Sequence, residues 1–333
     1  MALPLTSLEQ AGSDEALEAA NRPAREPLID AARGIVTNVE RVMRGRRDVV
    51  ELLVAAVVAG GHVLLEDTPG AGKTTLAKAL ARTLGGSFRR IQGTADLLPT
   101  DVTGAAVWRP DLHAFDFVPG PLFGNVVLVD ELNRTPPRTQ SAFLEAMDEG
   151  GVTIDGRRHD LPDPFVVVAT QNPVEHFGTY PLPDGQLDRF AMTLRLGPND
   201  PATERYVVRE QLAGPTVDSL GPSISVEGLR HVRAEVRRTH VADAIVDYAV
   251  RLAEATRRHA EVASGGSTRA AISLVRCAQA RALLHGRPHV LPDDVKMLAV
   301  PVLAHRLILA TPQSDRARAI VIELLSAVPA PAP

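Results

Sequence analysis

Short apolar runs alternate with helical stretches up to about residue 198. Five of these runs predict buried strands, and they begin at His62 (HVLLE), Phe88 (FRRIQ), Val126 (VVLVD), Phe165 (FVVVA) and Met192 (MTLRL). The spacing leaves room for crossover helices between strands, which is typical of a mostly parallel sheet covered on both faces. The pattern therefore predicts an α/β domain with a mostly parallel five-stranded sheet.

The pattern changes at residues 197–201 (GPNDP), a turn-forming segment that we interpret as a linker. Beyond it strand-like runs are rare, and TRAAISLVRCAQARALL places Ile272, Val275 and Leu283 near helical spacing. Another helix is predicted at LPDDV, because Pro292 suits the first helical position and the following aspartates suit the positive end of the helix dipole. These segments predict a smaller, all-helical second domain.

The two ends of the chain show no sustained period. The first residues are rich in Ala, Pro and Glu, and the final SAVPAPAP has too many prolines to pack as a helix or strand. We therefore predict four parts: a flexible tail at 1–27, an α/β core at 28–198, a helical domain at 199–325 and a disordered tail at 326–333.

The composition excludes several classes of protein. With 45% hydrophobic and 23% charged residues among 333, the chain is predicted to be soluble and globular. No apolar stretch is long enough to cross a bilayer, and the N-terminus lacks the pattern of a signal peptide. The single cysteine, Cys277, excludes an internal disulfide and a cysteine-cluster metal site. We therefore expect a cytoplasmic protein without membrane insertion.

The charge balance argues against nucleic acid as a partner. The formal net charge is -4, whereas nucleic-acid binding draws most of its affinity from neutralised phosphates. The only lysines are Lys73, Lys78 and Lys296, so arginine is the default basic residue of this chain. An arginine is therefore weak evidence of a site, and a lysine is stronger evidence.

The stretch VLLEDTPGAGKTT at residues 63–75 passes from an apolar strand to glycines, a lysine and threonines. It fits the phosphate-loop pattern G-x-x-x-x-G-K-[ST] except at the first glycine. The glycines let backbone N–H groups point at phosphate oxygens, while the lysine supplies charge to ATP and the threonine a hydroxyl to Mg²⁺. The predicted binding residues are Asp67, Thr68, Pro69, Gly70, Ala71, Gly72, Lys73, Thr74 and Thr75.

Asp67 stands where the pattern has its first glycine. That glycine relieves crowding at the end of the strand, and an aspartate tolerates turn geometry better than most residues. Its carboxylate must point away from the phosphates to avoid repelling them. The alternative is an ordinary turn that contains GKT by chance, because short motifs give false positives.

ATP hydrolysis also requires an acid that holds the metal and a group that positions water. The segment VVLVDELNR supplies both after an apolar strand: Asp130 is predicted to hold Mg²⁺ together with Thr74, and Glu131 to polarise the attacking water. Asn172, in FVVVATQNP, is predicted to contact the γ-phosphate and the water. The structural alternatives are an acidic strand exit and an Asn-Pro turn.

Two arginines complete the predicted catalytic set. Arg189, in GTYPLPDGQLDRF, has the fixed planar charge that suits a developing phosphoryl charge. It lies too far along the fold to reach its own phosphates easily, so we expect it to act on a neighbouring subunit. Arg269, in GGSTRAA, is predicted to contact a γ-phosphate from a helix start and to couple ATP to domain movement. A surface role and a solvated helix start are the alternatives.

Taken in order, these segments resemble a known family. LLEDTPGAGKTTLAKALA, LVDELNRTPPRTQSAFLEAMDEG, VVATQNPVEHFGTYPLPDGQLDRF and GGSTRAAISL are similar to the MoxR family of AAA+ ATPases, over roughly residues 30 to 320. The resemblance implies a P-loop NTPase core with a helical lid domain, and an aspartate at the first loop position also occurs in relatives. By position, it implies Walker A at residues 67–74, Walker B at Asp130 and Glu131, sensor 1 at Asn172, the arginine finger at Arg189 and sensor 2 at Arg269.

The resemblance also implies two inserted hairpins on one face of a ring. The first, HAFDFVPGPLFG, has alternating aromatics at Phe115 and Phe117, which either grip a client or pack as a core loop. The second, GGVTIDGRRHDLPDPF, is predicted to turn at Asp155 and Gly156. Between them, the helix after DELNR is predicted to be capped by Thr135, with Pro136 in its first turn and Gly150 at its end.

The resemblance implies a ring of six subunits and partner proteins with von Willebrand factor A-type domains. Arg134 is a further candidate for the subunit interface, and Val42 and Gly45 are candidates for the adenine side. The leading hypothesis is an ATP-driven, chaperone-like remodelling protein. A DNA-associated motor is disfavoured by the acidic charge, and an ATP-gated scaffold with little turnover is disfavoured by the presence of Glu131.

Overall fold

The computed structural model describes residues 24–66, 70–111, 113–172, 178–198, 200–213, 217–311, 313 and 315–332. Most of the predicted N-terminal tail, and the loop residues Asp67, Thr68 and Pro69, lie outside these ranges. No helix within the described ranges is long and apolar enough to span a bilayer.

The described residues form helices and strands that alternate through the first part of the chain. In chain order these are α1 (Arg25–Glu40), α2 (Arg47–Val58), β1 (Val63–Glu66), α3 (Lys73–Thr83), β2 (Phe88–Gln92), α4 (Pro99–Thr103), β3 (Gly104–Arg109), β4 (Ala114–Pro119), β5 (Val126–Asp130), α5 (Pro137–Glu149), β6 (Gly151–Ile154), β7 (Arg157–Asp160), β8 (Val166–Gln171), α6 (Asp184–Leu187), β9 (Met192–Leu194), α7 (Pro201–Ala213), α8 (Val226–Arg238), α9 (Asp243–Arg258), β10 (Val262–Ser264), α10 (Thr268–Leu284), α11 (Pro292–Leu303), β11 (Ile308–Leu309) and α12 (Arg316–Ala327). Short 3₁₀ helices lie at Leu132–Arg134, Val217–Ser219 and Ala304–Arg306.

A single parallel sheet forms the centre of the α/β domain. Its five strands lie in the order β2-β5-β8-β1-β9, and every neighbouring pair is parallel. The prediction of a five-stranded α/β core is confirmed, because each predicted apolar run contributes a strand. Parallel strands end at the same edge of the sheet, which we call the carboxyl edge, and begin at the opposite amino edge. Gln92, Asp130 and Gln171 end their strands at the carboxyl edge.

Both faces of the sheet are buried. Leu64 enters one hydrophobic cluster with Phe143 and Met147 of α5, whereas Val63 and Leu65 enter a second cluster with α1, α2 and α3. This two-sided burial explains why the strands read as continuous apolar runs rather than alternating ones. The second cluster continues into the helical domain, so one core joins the two parts of the chain.

The C-terminal part is mostly helical, as predicted, with two differences. Strands β10 and β11 pair antiparallel, with Val262 opposite Leu309. Helix α12 continues to Ala327, and Val328 and Ala330 pack against the large hydrophobic cluster. The expectation of a disordered tail from residue 326 therefore differs from the structure, because these small apolar side chains find buried partners despite the neighbouring prolines.

Both predicted hairpins are present. Strands β3 and β4 pair from Gly104 opposite Pro119 to Arg109 opposite Ala114. Strands β6 and β7 turn at Asp155 and Gly156, both of which have positive φ, as the predicted two-residue turn requires.

The aromatic residues of the first hairpin have different surroundings. The ring of Phe117 stacks on His159 of the second hairpin with centroids 3.9 Å apart, while the side chain of Phe115 is 70% exposed. Trp108 lies edge-on to Phe115 at 5.3 Å and is also exposed. One aromatic therefore joins the hairpins, and two lie at the surface.

Helix α5 begins one residue later than the capping pattern predicted. Pro136 is the N-cap, and the hydroxyl of Thr135 donates to the carbonyl of Leu132 at 2.7 Å instead of capping α5. Thr135 is used to close the preceding 3₁₀ turn, so the prediction of its capping role was wrong. Gly150 ends the helix in the left-handed conformation, as predicted.

Candidate functional site

The loop between β1 and α3 is shaped by two glycines. Gly70 and Gly72 have φ values of +86° and +93°, which L side chains rarely adopt. Gly72 precedes Lys73, the first residue of α3, and no side chain caps this helix start within the described residues. Thr74 and Thr75 lie in the first turn of α3. The backbone N–H groups here suit a bound anion, as predicted for a phosphate loop.

The segment between α1 and α2 lies against this loop. A Cβ on Gly72 would lie 3.7 Å from the terminal methyl of Met43, and a Cβ on Gly45 would meet Thr203 of α7. Val42 packs against the large hydrophobic cluster. The strip that carries the candidate adenine-side residues Val42 and Gly45 therefore lies between the phosphate loop and α7.

Asp130, predicted to hold the metal, ends β5 with its side chain only 10% exposed. Arg90 on the adjacent strand β2 donates to its carboxylate through Nε at 2.8 Å and Nη2 at 2.7 Å. The hydroxyl of Thr170 lies 3.4 Å from the other carboxylate oxygen. These contacts fix the position of the Asp130 carboxylate at the carboxyl edge. Sequence reasoning missed Arg90, because arginine is so common in this chain.

Asp130 and Thr74 are suited to a Mg²⁺ ion that is bound together with the phosphates of a nucleotide. The described residues contain no group of three or more His, Cys, Asp or Glu side chains that could hold a metal by themselves. Mg²⁺ is commonly bound through one or two carboxylates, with phosphates and water completing its shell. Asp130 at the end of β5 and Thr74 at the start of α3 would supply the carboxylate and the hydroxyl for such a site.

Glu131 has a strained backbone. Its φ of 56° lies in the left-handed region, which costs a non-glycine residue about 1–3 kcal/mol. Its backbone N–H donates to the Thr170 hydroxyl at 2.9 Å, and its carboxylate accepts from Gln92 at 3.2 Å. Arg134 forms an ion pair with the same carboxylate at 3.2 Å. Three side chains thus fix the predicted water-activating group at the carboxyl edge.

Gly93 permits this arrangement. Any Cβ at that position would lie 2.2 Å from the carbonyl oxygen of Glu131. The backbone N–H of Gly93 also donates to the carbonyl of Asp130 at 2.7 Å. The chain leaving β2 therefore lies directly against the two acids, which the sequence motif did not indicate.

Asn172, the predicted sensor, follows the last residue of β8. This strand lies between β5 and β1 in the sheet, so Asn172 lies between the two acids and the strand that leads to the phosphate loop. The preceding Gln171 donates to Glu66 of β1 at 2.7 Å. The structure therefore brings the loop, the acids and Asn172 to the same edge of the sheet.

The two predicted arginines lie together, on one shared partner. Arg189 donates to the carbonyl of Leu144 at 3.1 Å and to the carboxylate of Asp148, both on α5. Arg269, in the first turn of α10, lies 3.5 Å from the other oxygen of Asp148. Sequence reasoning did not single out Asp148. An open groove of about 500 Å³ adjoins Arg189, and Leu144 and Asp148 are among its lining residues.

This arginine pair lies at the amino edge of the sheet. Arg189 comes shortly before β9, and Asp148 lies at the end of α5, which follows β5 and returns toward the strand starts. His62, just before β1, contacts the carbonyl of Met147 at 3.1 Å and fixes the end of α5 there. The helix rises about 1.5 Å per residue, so it extends about 16 Å from its start to Asp148. The arginines therefore lie across the sheet from the phosphate loop of the same chain.

His62 is a buried histidine that is held neutral. The backbone N–H of Val167 donates to Nδ1 at 3.0 Å, so Nε2 carries the proton and donates to Met147. Burial lowers the pKa of His62 from 6.5 to about 4. Unfolding restores the ordinary pKa, so the unfolded chain binds more protons between these values.

We expect the free energy of unfolding to fall as the pH decreases from 6.5 to 4, with His62 contributing about 3 kcal/mol of the loss. The contribution of neutral His62 to the stability of the folded protein is fully present above pH 6.5. His305 acts in the same direction, because burial lowers its pKa too. Urea denaturation across this pH range should show a shallower pH dependence for His62→Gln than for the wild type. Equal slopes in the two proteins would contradict the assignment.

Comparisons with known proteins identify relatives of this chain in sequence and in fold. Residues 62–192 match the ATPase family associated with various cellular activities, and residues 254–324 match the AAA lid domain. The uncharacterized protein YeaC of Bacillus subtilis is 48% identical over 308 residues, which cover 92% of this chain and 95% of that protein. Chaperone MoxR1 of Mycobacterium tuberculosis is 40% identical over 283 residues, covering 82% of this chain and 74% of that protein.

A solved structure shows the same fold over nearly the whole chain. The crystal structure of a protein from Cytophaga hutchinsonii superposes with a TM-score of 0.84 and 34% sequence identity. The match covers 98% of this chain and 100% of that one. The family match supports nucleotide binding and ATPase activity in general. The matches in sequence and fold, with the motifs in their expected order, place this chain in the MoxR family of AAA+ ATPases.

Proposed function

We propose that this protein hydrolyses ATP at the interfaces of a ring, with each site built from two subunits. One observation carries the proposal: the phosphate loop and the acids lie at the carboxyl edge of the sheet, whereas Arg189 and Arg269 lie at the amino edge. One subunit presents both halves of a site but on opposite edges. A head-to-tail contact between copies would bring the halves together, and such contacts close into rings.

The nucleotide half of the site binds and orients ATP. The N–H groups from Gly70 to the start of α3 would surround the phosphates, with Lys73 reaching the β- and γ-phosphates. Thr74 and Asp130 would hold Mg²⁺, which neutralises charge that develops on the phosphates. The strip that contains Val42 and Gly45 would lie on the adenine side. Asp67, Thr68 and Pro69 belong to the same proposed loop.

The acids prepare the attacking water. Glu131 would accept a hydrogen bond from the attacking water and then take its proton. The water oxygen would bond to the γ-phosphorus as the bond between that phosphorus and the bridging oxygen to the β-phosphate breaks. Asn172 would orient the water and the γ-phosphate from β8. Gln92 and Thr170 hold Glu131 in place, so the base is positioned before the substrate arrives.

The arginine half comes from the adjacent copy. Arg189 would act as an arginine finger on the neighbouring γ-phosphate, where a planar guanidinium stabilises the transition-state charge. Arg269 shares Asp148 with Arg189, so it would reach the same neighbouring site rather than its own. Arg134, at the carboxyl edge, would lie near this interface. The family relationship supports a ring, and we propose six subunits.

We propose that the ring uses ATP to remodel or mature partner proteins. The name of MoxR1, a chaperone, supports this direction. The paired hairpins, with exposed Trp108 and Phe115, offer an apolar surface to a client. A partner with a von Willebrand factor A-type domain and a cytoplasmic location are further parts of the proposal.

The dependence of activity on concentration tests the shared site. The ATPase rate per subunit should rise steeply over the concentrations at which sedimentation shows assembly, because the arginines of a lone subunit lie across the sheet from its own phosphate loop. Lys73→Ala should have no activity at any concentration, since the lysine contacts the phosphates. Full activity per subunit in a monomeric sample would contradict the proposal. Stimulation by DNA alone, without a protein partner, would favour a DNA motor instead.

A further inference from the structure

A buried arginine joins the helical domain to the segment that carries Arg189. Arg306 lies on the 3₁₀ helix Ala304–Arg306, and its side chain is only 2% exposed. Its Nε donates to the carboxylate of Asp188 at 2.7 Å. Its Nη2 donates to the carbonyl of Phe190 at 2.7 Å and to that of Asp188 at 3.0 Å. The guanidinium therefore holds the residues on both sides of Arg189.

The second oxygen of Asp188 reaches the other arginine's helix. The hydroxyl of Ser267 donates to Oδ2 of Asp188 at 3.0 Å, while the backbone N–H of Ala270 donates to the same hydroxyl at 3.3 Å. Ser267 is the N-cap of α10, and Arg269 lies in the first turn of that helix. The Asp188 carboxylate thus accepts two hydrogen bonds from the helical domain, one from Arg306 and one from Ser267. Asp188 directly precedes Arg189 in the chain, and Ser267 lies close before Arg269.

We propose that Asp188 is a positioning residue that makes Arg189, Arg269 and the helical domain move as one unit. The inference rests on the proposed function of the arginine pair. Asp188 contacts Arg306 and Ser267, and it acts by fixing the two arginines relative to each other. A rotation of the helical domain would carry Arg306 and Ser267 with it, and both would move Asp188. The arginine half of a neighbouring site would then follow the position of this subunit's helical domain.

The contacts on the two arginines favour this role over simple stabilisation of the fold. A buried ion pair needs only one partner for each charge, and additional hydrogen bonds satisfy the remaining groups. Here one oxygen of the Asp188 carboxylate accepts from Arg306 of the helical domain, and the other accepts from Ser267, the N-cap of α10. Arg189 follows Asp188 directly in the chain. Asp148 completes the arrangement from α5, because it contacts both guanidinium groups.

Ser267→Ala tests the link with the least disturbance to the fold. The change removes the bond to Asp188 and one helix cap. Ser225→Ala is the matched control, since Ser225 caps α8 through the N–H of Gly228 at 3.0 Å. We expect Ser267→Ala to lower kcat about ten- to a hundredfold, as misplaced catalytic groups do, with the KM for ATP unchanged. Ser225→Ala should retain wild-type kcat. A wild-type kcat for Ser267→Ala would overturn the inference.

Mixing subunits separates positioning from general damage. Lys73→Ala subunits have no working phosphate loop, but their arginine half, with Arg189 and Arg269, is intact. Adding them in equal amount to Ser267→Ala should raise the total ATPase rate several-fold above that of Ser267→Ala alone, because the new interfaces pair a good loop with good arginines. Asp188→Asn, which keeps the shape and loses the charge, should behave in the same way.

The result with Arg189→Ala separates the positioning role of Asp188 from the shared site itself. If Lys73→Ala subunits rescue Arg189→Ala but neither Ser267→Ala nor Asp188→Asn, the shared site stands and the positioning role falls. If no variant is rescued although mixed assemblies form, the shared site falls and the positioning role falls with it. Rescue of all three supports both.

Discussion

Glu131→Gln is expected to lower kcat for ATP hydrolysis by at least about a hundredfold, while ATP still binds. Glutamine has the shape of glutamate but cannot take a proton from the attacking water. The groups that hold ATP, from Gly70 to Thr74, are unchanged. The variant should therefore bind ATP with near wild-type affinity and retain it in stable assemblies. Single-turnover hydrolysis and equilibrium binding of labelled ATP measure the two effects separately.

The matched control for this variant is Glu254→Gln, which makes the same chemical change in an exposed ion pair with Arg258 at 3.6 Å. It should hydrolyse ATP at the wild-type rate, because surface pairs contribute little to stability. If Glu131→Gln released phosphate as fast as the wild type under assembly conditions, Glu131 would not be the base. A trapped, ATP-bound Glu131→Gln assembly would also retain client proteins for identification.

Arg189→Ala is expected to reduce kcat about a thousandfold, the scale of a lost arginine finger. ATP binding should change little, because the variant's own phosphate loop lies at the other edge of the sheet. Arg189→Lys keeps the charge but loses the planar fork, so it should have an intermediate rate. Steady-state kinetics at saturating ATP and a separate binding titration measure these effects.

Two checks accompany Arg189→Ala. Removing the arginine leaves Asp148 with Arg269 as a cationic neighbour, so the fold should persist, and thermal unfolding verifies this. Arg258→Ala, from the exposed pair used above, should be fully active. A weakened ATP affinity equal to the loss in rate would instead indicate that Arg189 contacts ATP within its own subunit.

The sheet could be predicted well because burial on both faces leaves a strong signal. All five residues of β5 are buried, so this strand reads as an unbroken apolar run that ends at Asp130. The pairing of β10 with β11 could not be predicted, since each strand is short and Val262 and Leu309 lie far apart in the chain. The cap of α5 was assigned to Thr135 from a local pattern, but the hydroxyl was already used by Leu132.

The motifs indicated which residues form the site but not which edge each occupies. Glu131 and Asn172 follow strands, so their place at the carboxyl edge follows from parallel topology. Arg269 was predicted to contact a γ-phosphate without any indication that it shares Asp148 with Arg189. That pairing depends on how the helical domain packs, which a local pattern does not contain. Arg90 was missed because an arginine in this chain carries little information.

The most direct test of the shared site is to mix inactive subunits. Arg189→Ala retains a working phosphate loop, and Lys73→Ala retains a working arginine half. Combined in equal amounts and allowed to exchange, they should recover about a quarter of the wild-type ATPase rate, because random assembly makes about one interface in four complete. A mixture that forms rings yet stays as inactive as its two components, at every ratio, would show that no site draws its arginine from a neighbour.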